Sequence, residues 1–310
     1  MKRILIISSN RLGDSILSSG LNKFYKNLYK DSYLTFVCGE TPNELFRFCK
    51  YVDEVIIIKK RKFALHWFLL WKKIFYKKWT HIIDLRGTLI SFFLFGSFKK
   101  IFKNNKVEKL HKVEEVSKQI VGKLVNPSVN LVYKKKNKIF TKLYKKKIIV
   151  ICPTANWLAK IWPQENYLQL IDRLSATPTF KKFLFVLVGP ISEKGMINKI
   201  KRNNILNMYG KLSLPEIYFL LRECNMFIGN DSGLMHLAAL AGVKTVGLFG
   251  PSNKIKYHPW GDKTLALSGN KSPEDLMNSK EFNHKDKKCL MYDLKINFVK
   301  KMILGFYKNG

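Results

Sequence analysis

The chain has 310 residues, which at roughly 100–200 residues per domain leaves room for two domains with cores of their own and is too long for a lone binding module. Hydrophobic residues make up 46% and charged residues 25%, which excludes a largely disordered, fibrous or collagen-like chain. The unusual quantity is charge: 56 Lys and Arg against 22 Asp and Glu leave +34, and only eight of the basic residues are Arg. A field of that sign suits nucleic acid, an anionic membrane surface or a phosphorylated substrate. A Lys-, Asn- and Ile-rich bias of the source's whole proteome would produce it as well.

The first half alternates short β-rich runs with helical patterns: strand 3–8 and helix 16–29, strand 33–38 and helix 42–48, strand 54–58 and helix 64–76, then strand 81–84. Strict alternation predicts parallel βαβ units. Between 126 and 147 the pattern gives way to a polar, Lys-rich segment with a Pro, which places a domain boundary there. A second alternation follows: strand 148–152, helix 165–175, strand 183–188, helix 193–202, strand 205–208, helix 214–223, strand 226–229, helix 233–241, strand 244–249. An amphipathic helix over 294–306 closes the pattern. The expected domains are 1–140, 141–292 and a terminal helix, 293–310, with the option of packing back on the first domain. Two doubly wound halves are expected to face each other across a cleft, because open parallel sheets bind ligands beyond the carboxyl ends of their strands.

Five cysteines, Cys38, Cys49, Cys152, Cys224 and Cys289, form no CxxC pair and read as reduced thiols. The apolar run 4–7 is too short for a signal-peptide core of about 7–15 residues. The stretches 63–71 and 88–98 fall short of the about 20 residues that span a bilayer. These features predict a cytoplasmic protein, soluble or peripherally attached. Peripheral attachment is expected through Lys59-Lys60-Arg61-Lys62 and the following helix, where Trp67, Leu70, Trp71, Ile74 and Phe75 recur at helical spacing among Lys72, Lys73, Lys77 and Lys78. The same stripe would equally serve as a core-facing side.

Three loops at strand ends could carry chemistry. In Asn10-Arg11-Leu12-Gly13-Asp14-Ser15, Gly13 allows a tight strand-to-helix turn, and Asp14 would either face the cleft or cap the helix. In the loop from Cys152 and Thr154 to Pro163, Lys160 between Trp157 and Trp162 can place an ammonium on a bound phosphate, or simply be solvated. In Gly229-Asn230-Asp231-Ser232-Gly233-Leu234-Met235-His236, the amides of Ser232, Gly233 and Leu234 sit where a diphosphate would meet a positive helix end. Asp231 would repel that diphosphate unless it faces sugar hydroxyls or a cation, and His236 either serves the site or packs. No GxGxxG, P-loop, nucleophile elbow, HExxH, Cys/His cluster or DxD-like pair occurs, so no metal ion is expected.

Taken together with Tyr51-Val52-Asp53-Glu54, His81-Ile82-Ile83-Asp84-Leu85-Arg86-Gly87, His111-Lys112-Val113-Glu114-Glu115, Lys160-Ile161-Trp162-Pro163, Phe249-Gly250-Pro251-Ser252 and Lys288-Cys289-Leu290, these loops give a chain that resembles the heptosyltransferase-like glycosyltransferases of family 9. Where that family usually has a Pro after the Gly-Asp pair, this chain has Gly20. The resemblance implies two Rossmann-like domains in the GT-B arrangement and inverting transfer of heptose from ADP-heptose to a lipopolysaccharide inner core. It implies Asp14 as catalytic base, Lys160 acting on the diphosphate and Asp231 holding donor hydroxyls. Ser232, Gly233, Leu234, His236 and Thr154 complete the donor set, and Arg11, Asp84 and Arg86 meet the acceptor unless Asp84 and Arg86 are a structural pair. No cofactor is expected. The partners are the nucleotide sugar, a lipid-linked core oligosaccharide and an anionic membrane surface. A nucleotide-sugar 2-epimerase of the same architecture is the alternative, and a non-catalytic basic protein binding nucleic acid, which is not expected, rests on charge alone.

Overall fold

The computed structural model describes residues 1–103, 109–133, 143, 146–190, 202–278 and 289–309. Lys288, and the helix expected over 193–202 apart from its last residue, lie outside them. The chain divides into two compact units, Met1–Lys134 and Lys135–Gly310, each built on a parallel sheet.

The first unit holds β1 (Lys2–Ile7), β2 (Ser32–Cys38), β3 (Glu54–Ile57), β4 (Trp79–Asp84) and β5 (Gly96–Ile101) in the order β3-β2-β1-β4-β5, all paired in parallel. The second holds β6 (Lys147–Cys152), β7 (Phe183–Leu187), β8 (Ile205–Asn207), β9 (Met226–Asn230), β10 (Lys244–Phe249) and β11 (Thr264–Ser268) in the order β11-β10-β9-β6-β7-β8, again all parallel. Both faces of a parallel sheet are covered, so its inner strands are apolar throughout: Ile4 to Ile7 and Ile148 to Cys152 are all buried.

These strand orders position the site. In the first unit the chain winds outward through β1, β2 and β3, then crosses back to lay β4 on the other side of β1. The second unit repeats this with β6, β7 and β8, then β9. The switch points therefore lie between β1 and β4 and between β6 and β9, where the loops leaving adjacent strands diverge and open a crevice.

Local departures have local causes. The helix expected over 16–29 is two helices, Leu12–Leu17 and Gly20–Leu28. At the second one's start a Cβ on Gly20 would lie 2.3 Å from the backbone oxygen of Asn126, so only glycine lets the two segments meet. The motif His111 to Glu115 opens the helix Lys112–Val121 as a reciprocal cap: the Val113 amide donates to His111 Nδ1 at 3.2 Å and the His111 amide to Glu114 Oε2 at 3.1 Å, the arrangement of a capping box. The helix Leu65–Ile74 buries Leu70 and Ile74 in the core and packs Trp67 and Trp71 against them. The apolar stripe expected to meet a membrane is thus mostly core-facing. Just before it, Phe63 and Ala64 both take left-handed backbone angles, with φ of 52° and 55°, at a cost of about 1–3 kcal/mol each for side-chain-bearing residues. The closing helix, Ile296–Asn309, for which a return to the first domain was open, packs Val299 and Ile303 into the second unit's core. The five cysteines are thiols, and burial pushes those of Cys38 and Cys224 up to about 12. Among the described residues, no helix is long and apolar enough to cross a membrane.

Candidate functional site

In the first unit, the loops leaving β1 and β4 bring four of the sequence-derived residues to one switch point. Asp14 is the third residue of the helix Leu12–Leu17, whose N-cap is Arg11, and no side chain caps that helix. The capping alternative for Asp14 is therefore not what the side chain does. Instead its carboxylate accepts a hydrogen bond from Ser9 Oγ at 3.2 Å, and Ser9 Oγ in turn accepts from the Arg11 amide at 3.1 Å. Gly39, at the end of β2, admits this loop: a Cβ there would lie 2.7 Å from Asn10 Cα.

Asp84 has a different part from the one expected of an acceptor ligand. It is fully buried, and its carboxylate takes the Arg86 amide at 2.9 Å, the Thr88 amide at 2.7 Å and the Thr88 hydroxyl at 2.7 Å. Three of its acceptor sites are taken inside its own loop, so it shapes the turn rather than offering a free carboxylate. What the turn presents is Arg86, whose guanidinium lies over the Trp67 ring with 5.0 Å to the centroid. Desolvation lowers the Arg86 pKa, while the Asp84 and Asp14 charges oppose that shift and Arg11 adds to it. Arg11, Asp14 and Arg86 thus share one electrostatic neighbourhood.

In the second unit, Lys160 Nζ and Asp231 Oδ2 are 2.6 Å apart. Asp231 is buried and Lys160 keeps part of its side chain in solvent. His236, one turn into the helix Gly233–Ala241, puts Nε2 4.0 Å from the other Asp231 oxygen. The sequence reading gave Lys160 and Asp231 separate tasks, whereas the fold joins them. A Lys ammonium has three donors, so the bond to Asp231 leaves two for a ligand. Loops of the same unit hold hydroxyl oxygens shielded from solvent that have no hydrogen-bond partner among the described residues: Thr154 Oγ1, Ser232 Oγ and Ser252 Oγ. They lie in the loops leaving β6, β9 and β10, three adjacent strands. Ser232 is the N-cap of its helix, yet its side chain makes no cap bond. A shielded polar atom without a partner is costly, and three in the loops leaving adjacent strands, one of them at a helix N-terminus, suit an anion's oxygens.

Sequence reasoning missed the residue that holds the two loops together. Asn230 Oδ1 accepts the Trp162 amide at 3.0 Å and the Tyr167 hydroxyl at 2.9 Å. Burial, then Cys152 and Tyr209, pushes the Tyr167 phenol up, so it stays protonated and donates. The Trp162 indole donates to the Leu294 carbonyl at 2.9 Å, and the Leu290 amide to the Ala159 carbonyl at 3.2 Å. The only sequence signal for this clamp was a polar residue directly after Gly229. Asn230→Ala strips two buried donors of their acceptor, and the expected loss is about 2–4 kcal/mol, read as a fall of roughly 5–15 °C in thermal midpoint. Among the described residues, no group of three or more His, Cys, Asp or Glu is placed to hold a metal ion.

Two doubly wound parallel units in one chain, with their functional loops at the strand ends, define a GT-B class of fold. Residues 76–286, more than half of the chain, match glycosyltransferase family 9 (heptosyltransferase), and the chain belongs to that family. It is similar to the lipooligosaccharide heptosyltransferase 2 of Haemophilus influenzae, with 30% identity over 128 residues, which are 39% of this chain and 36% of that protein. The alignment thus spans about a third of that curated relative. Among solved structures, a glycosyl transferase family 9 protein from Veillonella parvula superposes with a TM-score of 0.74 at 18% identity, covering 100% of this chain and 98% of the other. The E. coli ADP-heptose lipopolysaccharide heptosyltransferase II gives 0.71 at 17% identity, covering 99% of each. These two likenesses concern the fold.

Proposed function

We propose that the chain is an inverting glycosyltransferase that moves heptose from ADP-heptose to a hydroxyl of a lipid-linked lipopolysaccharide core. The observation that carries this reading is the Lys160–Asp231 pair at 2.6 Å, together with three shielded hydroxyls in the loops leaving adjacent strands that have no partner among the described residues. Such a site offers positive charge and donors for a diphosphate together with a carboxylate oxygen for sugar hydroxyls. The family membership and its heptosyltransferase relatives support the sugar and the donor.

In the proposed reaction, the acceptor oxygen attacks the anomeric carbon, the bond from that carbon to the diphosphate breaks, and the acceptor proton passes to a carboxylate. Asp14, held by Ser9, is the base. Charge gathering on the departing diphosphate meets Lys160 and the first amides of the helix Gly233–Ala241, dipoles set in place before the reaction. Ser232, Gly233, Leu234 and Thr154 hold phosphate oxygens. Asp231 keeps Lys160 aimed with one oxygen and orients the sugar with the other, with His236 behind it. Arg11 and Arg86 meet the acceptor's anionic groups. The net charge of +34 suits an anionic donor, an anionic acceptor and the cytoplasmic face of an anionic inner membrane, with no call for nucleic acid.

The reading is tested by presenting a panel of nucleotide sugars with a heptose-accepting core oligosaccharide and measuring nucleoside diphosphate release. ADP release with ADP-heptose alone among the panel is expected. Release with UDP sugars only, or an epimerised sugar as product, overturns it. Asp231→Ala is expected to bind free ADP about as well as the parent, since Lys160 is then unpaired, while turnover of the sugar donor falls by about tenfold or more. Titrating both ligands calorimetrically checks it, and equal loss of both would mean a collapsed loop.

A further inference from the structure

The sequence drew attention to the helix Leu65–Ile74 as a lipid-facing element, yet the side chains it leaves outside are not the stripe that spacing suggested. The larger apolar surface comes from two other segments. One is the turn before the helix, where Phe63 is 100% exposed in its left-handed conformation. The other is the 3₁₀ turn Leu89–Phe93 with the two residues that lead into edge strand β5. There Ile90 and Leu94 are buried as anchors, while Leu89, Phe92, Phe93 and Phe95 are 64–77% exposed. Exposed apolar residues scattered singly need no explanation, but a cluster of phenyl rings held outward by buried neighbours marks an interaction surface.

The second segment is tied to the helix that follows Phe63. The Trp71 indole donates to the Phe93 carbonyl at 3.1 Å, and Trp71 stacks between Phe68 and Phe75, with centroids at 6.1 and 4.5 Å. The charge along this stretch is nearly all of one sign. Residues 59–103 hold twelve Lys and Arg and a single acidic residue, Asp84, which is buried and bonded within its own loop; Lys59 and Lys77 pair with Glu40 and Glu54 from outside it. Lys72, Lys73, Lys78, Lys99 and Lys100 are exposed.

We propose that this aromatic face, Phe63 with Leu89–Phe95, seats the first unit on an anionic lipid bilayer, its rings entering the headgroup layer and its lysines meeting anionic lipid. Rings surrounded by cations of one sign complement a surface that is apolar beneath and negative above. Arg86 lies over the Trp67 ring of the neighbouring helix and feels the charge of Asp14, so the face and the proposed base belong to the same unit. The inference rests on the proposed lipid-linked acceptor for its purpose, but binding to lipid is measured without donor or acceptor.

The test is cosedimentation of the full chain with vesicles of phosphatidylcholine alone and of phosphatidylcholine mixed equally with phosphatidylglycerol. The parent is expected to sediment with the mixed vesicles, less so at high salt, and not with the neutral ones. Phe92→Ser/Phe93→Ser/Phe95→Ser, with an unchanged thermal midpoint, is expected to lose about tenfold or more of that binding. Phe63→Ser, at a fully exposed position, should lose less and serves if the triple variant does not fold. Undiminished binding by the folded variants, or equal binding to both vesicles, overturns the proposal. So does a parent that ignores vesicles but forms a dimer that the substitutions dissociate, which would assign the face to a second copy of the chain. Both proteins should release ADP equally with a water-soluble acceptor. Loss by the triple variant alone overturns the proposal in favour of acceptor binding, whereas silence from both proteins tells against the transferase reading and leaves the vesicle result standing.

Discussion

Asp14→Asn is expected to lower transfer by about 10² or more while leaving the fold and the donor affinity unchanged. The substitution keeps the side chain's shape and an oxygen that can accept from Ser9 Oγ, whose bond to Asp14 is 3.2 Å in the parent, but removes the ability to take a proton. Since no side chain caps the helix Leu12–Leu17, loss of a cap cannot account for a fall in rate. Turnover and donor binding need to be measured together: a fall in both would mean a damaged turn, and full activity would remove Asp14 from the mechanism.

Lys160→Ala is expected to lower turnover by about 10²–10³, the scale for loss of a preorganised electrostatic contact to a charge that develops in the transition state. The structure adds a second effect. Removing the ammonium leaves the Asp231 carboxylate, 7% exposed, without its partner at 2.6 Å, and an uncompensated buried charge destabilises. Stability and catalysis can be separated with the double variant Lys160→Ala/Asp231→Ala. Its thermal midpoint should recover towards the parent's while its turnover stays low, because removing both charges relieves the burial problem without restoring the cation. Equal midpoints in single and double variants would show the two side chains to be uncoupled, and unchanged kinetics in Lys160→Ala would leave it a surface residue.

What could be read from the sequence follows from what each residue depends on. The inner strands were legible because both faces of a parallel sheet are buried, so runs such as Ile148 to Cys152 need no periodicity to stand out. The edge strands β5 and β11 were not read as strands, since most of their residues are exposed or only half-buried and show no such run. Gly229, Asp231 and Ser232 were legible as a site because they sit between an apolar strand and a helix, where the local turn needs little else. Partners were not legible. Lys160 and Asp231 are 71 residues apart, and nothing local marks one as the counterion of the other. Asp84 fits either an acceptor ligand or a turn former on spacing alone, and only its three hydrogen bonds decide. Helical spacing over 67–75 showed that an apolar stripe exists without saying which way it points, and burial of Leu70 and Ile74 gives the direction.

The bond from the Trp162 indole to the Leu294 carbonyl joins residues 132 apart in the chain, and this distance has a consequence in time. On a ribosome adding about 5–20 residues per second, the loop bearing Lys160 emerges on the order of 10 s before the segment that anchors its tryptophan. Throughout that interval the Trp162 ring, 0% exposed in the folded protein, has no completed pocket and offers a nascent chain's largest kind of sticky surface to whatever is near. Folding of the second unit is thereby bound to finish after the first, and a holdase that shields aromatic segments would be expected to raise the yield of this half more than that of the other.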